Sequence, residues 1–221
     1  MQTQLTEVVA EISGAHGGIL ANAARLIREA KACGADAVKF QCFDWRRLAA
    51  KRASNPRAEE LAADFHHQTL LELYRKTHTP RAWFPILIAT AQLERIPWFS
   101  SVFHPEDVAF LETLDCPRYK ISAFEMLDGD LINAVVATGK PIIMSIRPMD
   151  GVTILRATEY DCKEDGALGV SDHSNSMRFV TSRCPMVERH LRLPDVPSPD
   201  DAFSSTPDEF REYVKAIRAM K

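Results

Sequence analysis

The sequence has no uninterrupted apolar stretch long enough to cross a bilayer, which excludes an ordinary transmembrane helix. Its first residues, MQTQLTEVVAEIS, contain no basic segment followed by a long apolar run, so no secretory leader is expected. There is no C-x-x-C pair. The five cysteines (Cys33, Cys42, Cys116, Cys162, Cys184) are scattered and odd in number, which argues against a disulfide framework and for a reducing, cytoplasmic setting. The net charge of −3 supplies no basic field, so neither nucleic acid nor a membrane surface is an expected partner. No repeat of solenoid length occurs. What remains is a chain of 221 residues, 46% hydrophobic, enough for one sizeable core and a single domain over 1–221.

Short apolar runs alternate with helical patterns through the first two thirds. Strands are predicted over Val8–Ser13, Ala37–Cys42, Trp98–Phe103, Arg118–Ala123 and Pro141–Ile146. Helical spacing is read over 19–33, from about Glu59 to Lys76, and over 81–95, 106–114 and 130–138, with a polar stretch at 44–57. Such alternation predicts parallel pairing with right-handed crossovers. After Ile146 the rhythm changes. Further strands are read over 152–160, 167–173 and 186–193, but the connections before the first two are shorter than the dozen residues a parallel crossover needs. A closing amphipathic helix is predicted over Pro207–Met220. The expected fold is therefore a reduced (βα)8 TIM barrel, lacking the helices after strands five and six and with the one after strand seven shortened. An open doubly wound sheet is the alternative.

In a closed barrel alternate strand residues point inward and the strand C-termini carry the site. That period puts Lys39 and Gln41 on one face, Lys120 and Ser122 on another with Glu125 just beyond, then Ser145, Ala157 and Glu159 with Tyr160 at the tip, Ser171 and His173, and Glu188 and His190. Strand one ends with Glu11, followed by His16 in the turn GAHGG. Lysines with serine hydroxyls suit a phosphate, and two histidines on adjacent strands suit a divalent metal with open positions. Taken singly, each is more often structural: a lone strand lysine snorkels, and a lone histidine in an apolar run is a satisfied core residue. The joint pattern carries the force, because such a mixture is costly to bury without a ligand. His66, His67, His78 and His104 lie in polar or helical segments and are expected at the surface.

These segments resemble the catalytic barrel of the N-acetylneuraminate (sialic acid) synthase family. The resemblance rests on EISGAHGG (11–18), GADAVKFQ (34–41), the run from Trp98 to Glu125 ending in YKISAFE, TGKPIIMS (138–145), GVSDHS (169–174), VERHL (187–191) and PSPDDAFSSTPDEFREYVKAIR (197–218), in family order over nearly all of the chain. It implies condensation of phosphoenolpyruvate (PEP) with an N-acyl hexosamine or related aldose, releasing phosphate. It implies PEP held by Lys39, Lys120, Ser122, Ser145 and Ser171, a Mn2+ or Mg2+ ion at His173 and His190, and a sugar faced by Gln41, Glu125, Tyr160 and Asp200. Glu11 would be an essential acid/base or water-orienting carboxylate.

The pattern departs from the family at Ala15, where the family has Asn, at Ile146–Arg147, where it has Thr-Gly, in RATEY, which is one residue short, and at Asp200–Asp201, where it has Asp-His. The family's C-terminal antifreeze-like domain has no counterpart in 1–221. A PEP- or phosphosugar-binding barrel without turnover, and a metal-dependent aldolase or lyase, are the alternative functions. The imidazoles are expected to be oriented by Glu188 or Glu11. The bare flank (Ile142, Met144, Ile154, Arg156, Thr158, Leu168, Val170) predicts a homodimer contact.

Overall fold

The computed structural model describes residues 5–54, 69–149, 152–157, 169–174, 180 and 184–220. Eight strands close into a barrel in chain order. They are β1 (Glu7–Glu11), β2 (Ala37–Cys42), β3 (Trp98–Val102), β4 (Tyr119–Ile121), β5 (Ile142–Met149), β6 (Val152–Ala157), β7 (Gly169–Asp172) and β8 (Met186–His190). Around them lie α1 (Leu20–Ala32), α2 (Trp45–Ala53), α3 (Leu70–Thr77), α4 (Phe84–Leu93), α5 (Pro105–Glu112), α6 (Gly129–Val136) and α7 (Pro207–Ala219).

The helix starts follow from local chemistry. Asp44, Thr69, His104, Asp128 and Thr206 each accept a hydrogen bond from a backbone N–H of the following first turn. Thr206 and Glu209 complete a reciprocal capping box. The stretch 44–57, read only as polar, is helical over Trp45–Ala53. Only Leu48 and Ala49 are buried there, so apolar periodicity carried little signal, and the Asp44 cap was the cue. The helix expected from Glu59 is described only over Leu70–Thr77.

The barrel has two concentric apolar layers. Outward residues such as Val38, Phe40, Trp98, Tyr119, Ile121 and Val187 pack under the helices in the main core. Inward residues Val9, Ala37, Phe99, Ile143, Leu155 and Met186 fill the lower interior. Arg118 lies 4.0 Å over the Phe99 ring and pairs with Glu7, covering the bottom. One step up each strand, the same face turns polar.

Parallel pairing is observed for every adjacent pair except those of β6, which runs antiparallel to both β5 and β7. This corrects the expectation of a wholly parallel barrel. Two residues, Asp150 and Gly151, separate β5 from β6, and only an antiparallel hairpin fits so short a link. Asp-Gly is also a strong two-residue hairpin signal. No helix follows β5. The β5–β6 ladder shifts register between Ser145 and Arg147. The last residue of β6, Ala157, pairs with Ile143 at the lower end of the barrel, so this strand runs away from the mouth. Glu159, Tyr160, Thr158 and Leu168 lie outside the described residues, as do the segments that would hold helices after β6 and β7.

Of the flank residues whose side chains are described, Val170 is buried, and Ile142 and Met144 are partly buried against the main core. Among the described residues no helix is long and apolar enough to cross a membrane.

Candidate active site

A cavity of about 530 Å3 opens at the upper, C-terminal ends of the parallel strands. Its floor is set by the strand period. Lys39, Ser101, Lys120, Ser145, Ser171 and Glu188 all face it and are all buried. The ammonium of Lys39 pairs with Glu11, lies 3.3 Å from Glu188 and donates to Ser101 Oγ at 3.0 Å. Lys120 pairs with the same Glu188 oxygen at 2.7 Å, and Ser171 Oγ donates to it at 3.0 Å. The other oxygen, Oε2 of Glu188, is enclosed without a hydrogen-bond partner.

Sharing one carboxylate separates the two lysines. Burial works against the charge on Lys39, but Glu11 and Glu188 outweigh it and hold its pKa above the usual lysine range. Lys120 has only part of Glu188. Burial, with Lys39 nearby, lowers its pKa to about 8. Burial alone would raise the pKa of Glu188, but Lys120 and Lys39 together pull it below the carboxylate range.

At the rim, His173 follows β7 and His190 ends β8. Their ring centroids are 5.0 Å apart at 84°. Phe203 stacks on His173 at 5.1 Å and meets His190 edge-on at 4.9 Å. Asp200 Oδ2 lies 3.2 Å from Nδ1 of His190, and Ser171 Oγ lies 3.2 Å from Nε2 of His173. Burial, then the neighbouring His190, lowers the His173 pKa to about 3, so its imidazole is neutral. The expected orienting acceptors, Glu188 and Glu11, are instead committed to the lysines. Asp200 and Ser171 take that place.

Gly14 fixes this corner. Its φ of +81° favours glycine, and a Cβ there would sit 3.2 Å from the Asp200 carboxylate. His16 of the same turn does not line the cavity. It is buried, edge-on to Trp83, and its Nδ1 accepts from the Gly18 N–H.

The opposite wall is of another kind. Phe43, Leu48, Leu73, Tyr74 and Phe103 form a separate apolar cluster under α2 and α3, and all five line the cavity. Arg52 crosses this wall. It donates to Glu125 at 2.8 Å and to the Tyr74 hydroxyl at 2.9 Å, and its guanidinium lies 4.5 Å over the Phe124 ring. Ser122 donates to the other oxygen of Glu125.

With this geometry in hand, comparison with known proteins is decisive about kinship. The family model described as "NeuB family" matches residues 26–160. The pseudaminic acid synthase of Helicobacter pylori is 30% identical, the match covering 97% of this chain and 74% of that protein. The chain belongs to the NeuB family. That alignment extends over 258 residues, more than this NeuB-family chain contains, so the relative carries internal segments that are missing here. The pseudaminic acid synthase of Campylobacter jejuni, serotype O:2, is 29% identical over 96% of the chain and 72% of its own length. Among solved structures, the sialic acid synthetase of Leptospira borgpetersenii, in complex with citrate, superposes with a TM-score of 0.70 at 19% identity, covering 98% of this chain and 84% of that one. Spore coat protein SpsE of Bacillus subtilis superposes at 0.69 with 21% identity, covering 97% and 67%. The latter two establish likeness of fold.

Within this NeuB-family barrel, the residues singled out from sequence sort as follows. Lys39, Gln41, Lys120, Ser122, Ser145, Ser171, His173, Glu188, His190 and Asp200 all line one cavity. Glu11 is buried behind Lys39, and Glu125 behind Arg52 and Ser122. Tyr160 falls outside the described residues. Sequence reasoning missed Ser101, Arg52 and Phe203. Ser101 was legible, since it shares the inward period of Phe99 on β3. Arg52 was legible only once α2 is recognised, because Leu48 and Arg52 are then four residues apart on one helix face.

Proposed function

We propose that this chain condenses PEP with the open-chain aldehyde of an N-acyl hexosamine or related aldose and releases phosphate, as a cytoplasmic enzyme. One observation carries the reading: in a NeuB-family chain, Lys39, Lys120 and the serines Ser101, Ser122, Ser145 and Ser171 converge beside the His173–His190 pair in one cavity. The barrel is read as a reduced (βα)8 fold in which a hairpin takes the place of the crossover after the fifth strand.

PEP brings a phosphate and a carboxylate, and the two ammoniums and the serine hydroxyls supply charge-assisted donors for them. Seating the anion there draws Lys39 and Lys120 toward it and loosens their hold on Glu11 and Glu188. The bond that forms joins C3 of PEP to the aldehyde carbon as the PEP double bond opens. Water then adds at C2 and gives one proton to Glu11 or Glu188, which returns it to the new alkoxide oxygen. The C2–O bond to phosphate breaks as the C2 hydroxyl becomes a carbonyl, leaving a keto acid. Lys120, with a pKa near 8, passes a proton to the departing phosphate oxygen and regains one from that hydroxyl.

The donor set fits a divalent ion at His173 and His190. Both imidazoles are adjacent, and each is tied through one nitrogen to Asp200 or Ser171, leaving the other for an ion. Among the described residues no group of three His, Cys, Asp or Glu closes around a metal, so substrate oxygens and water would complete the shell. Bound there, Mn2+ or Mg2+ would polarise the aldehyde oxygen as a Lewis acid.

The test is acceptor-dependent phosphate release from PEP with Mn2+, over a panel of N-acyl hexosamines and simple aldoses. Release that needs an aldose supports the reading, and no release with any of them contradicts it. A barrel that binds PEP without turnover is the second reading, favoured by the reversal of β6 away from the mouth.

A further inference from the structure

We propose that Arg189, Asp172 and Tyr213, on the outer face of the barrel, are positioning residues that aim the His173 and His190 imidazoles into the cavity from behind. This rests on reading that pair as the ion site, and it assigns the aim of the pair to the contact between the barrel and α7.

The strand period supplies the first argument. Asp172 and Arg189 are partners across β7 and β8, and each directly precedes one of the histidines. Alternation turns both outward, under α7, while His190 turns in. Arg189 donates to Asp172 Oδ2 at 2.9 Å and to Ser205 Oγ at 2.6 Å, and its guanidinium lies 4.3 Å over the Tyr213 ring. The Tyr213 hydroxyl donates to the same Asp172 oxygen at 3.1 Å. Arg189, Asp172, Tyr213 and Ser205 are all buried.

The second argument is what each contact fixes. His173 lies one residue past the end of β7, so a turn and not the ladder sets its direction. Asp172 builds that turn. Its Oδ1 accepts from the Ser174 N–H at 2.8 Å and from the Ser174 hydroxyl at 2.5 Å, closing an Asx turn around His173. Arg189 and Tyr213 hold the other oxygen and so hold the turn. On the other arm, the Ser205 N–H donates to the His190 carbonyl at 2.9 Å. Ser205 is two residues from Phe203, the ring packed against both imidazoles. One guanidinium thus ties the turn that carries His173 to the segment that seats Phe203 on the pair.

The third argument is cost. The same outward face carries Val170 and Val187 two residues earlier, both in the main core. An apolar pair at 172 and 189 would continue that core, and a buried ion pair gives little or no stability over one. What the charged pair adds is direction, because a satisfied buried network fixes one orientation of its members.

Two measurements separate aiming from general stability, on Tyr213→Phe, which removes one hydroxyl, and Arg189→Met, which removes the charge that holds Asp172. In metal-free protein labelled with 15N at histidine, long-range 1H–15N spectra report each imidazole separately. Both substitutions are expected to move the His173 and His190 signals and to leave those of His78 and His104, at the ends of α3 and α5, in place. Mn2+ affinity, measured by calorimetry, is expected to fall about tenfold or more in Arg189→Met and about threefold in Tyr213→Phe. Unmoved His173 and His190 signals, Mn2+ affinity unchanged in both variants, or equal movement of all four imidazoles, the mark of a general loosening, would overturn the proposal. If Arg189→Met does not fold, Tyr213→Phe decides alone. A parent that binds no Mn2+ sinks the ion reading, and the imidazole signals then decide the positioning role by themselves.

Discussion

The two walls of the cavity meet the same space but are held by different forces. On the strand wall, sheet register fixes Lys39, Ser101, Lys120, Ser171 and Glu188 within one network of buried charge. On the facing wall, α2, α3 and the segments after β3 and β4 bring together an apolar cluster crossed by the Arg52–Glu125 ion pair. A buried charge network is intolerant of losing one member, because the others are left uncompensated. An apolar cluster gives up stability in proportion to the apolar surface that is uncovered. Substitutions are therefore expected to be costlier on the strand wall than on the helical wall.

The sharpest break would come at Glu188. Glu188→Leu leaves two buried lysines with only Glu11 between them, and removal of one partner from such a group costs about 3–5 kcal/mol. Urea denaturation reads this directly, and a loss under about 1 kcal/mol would show that the network is not a unit. Leu48→Ala on the other wall should cost less, about 2 kcal/mol, since its side chain borders open space rather than a filled core.

Lys120→Met tests the ligand side of the strand wall. Loss of one charge-assisted hydrogen bond should weaken PEP by about 1.5–3 kcal/mol in calorimetry, while Arg52→Met should leave PEP affinity near that of the parent. Equal weakening by both would erase the distinction between the walls.

The pH dependence follows from Lys120. Its proton leaves near pH 8 in the folded chain and in the ordinary lysine range when unfolded. Between those values the unfolded chain holds more protons, so this group makes the fold more stable as pH rises through that window. PEP affinity should move the other way, falling above about pH 8 as the ammonium is lost, and Lys120→Met should flatten that fall. An affinity that is level from about pH 7 to 9.5 in the parent would contradict the assignment. The smallest effect is expected at Phe124, half-exposed at the rim. Phe124→Ala should change stability by less than about 1 kcal/mol.

Much of the strand wall was legible in the sequence because a strand has a period of two. VKFQ, YKIS and VERH place alternate residues on one face whatever surrounds them, and Glu11, Lys39, Lys120 and Glu188 fall where that period puts them. Partnership was less legible. Nothing local tells that Glu188 is shared by two lysines rather than turned to a histidine, since that depends on the order in which the barrel closes. Asp200 reaches His190 across a loop of nine residues whose path the sequence does not specify. The direction of β6 was readable in principle from Asp150–Gly151, but the alternation of strands and helices through the first two thirds pointed to parallel pairing. Arg52 stayed hidden because its helix shows little apolar periodicity, so the residue that crosses the second wall sat in what reads as a polar stretch.

The central claim is that the two walls together join PEP to an aldehyde. The most direct measurement follows PEP labelled with 13C at C2 by NMR, in the presence of the protein, Mn2+ and N-acetylmannosamine. The account predicts that the enol carbon signal is replaced by that of a ketone carbon or its ring-closed hemiketal in a product three carbons longer than the sugar, with one phosphate released per product and no change when the sugar is omitted. Conversion of the label to pyruvate at the same rate without sugar, or an unchanged PEP signal beside demonstrable PEP binding, would contradict it.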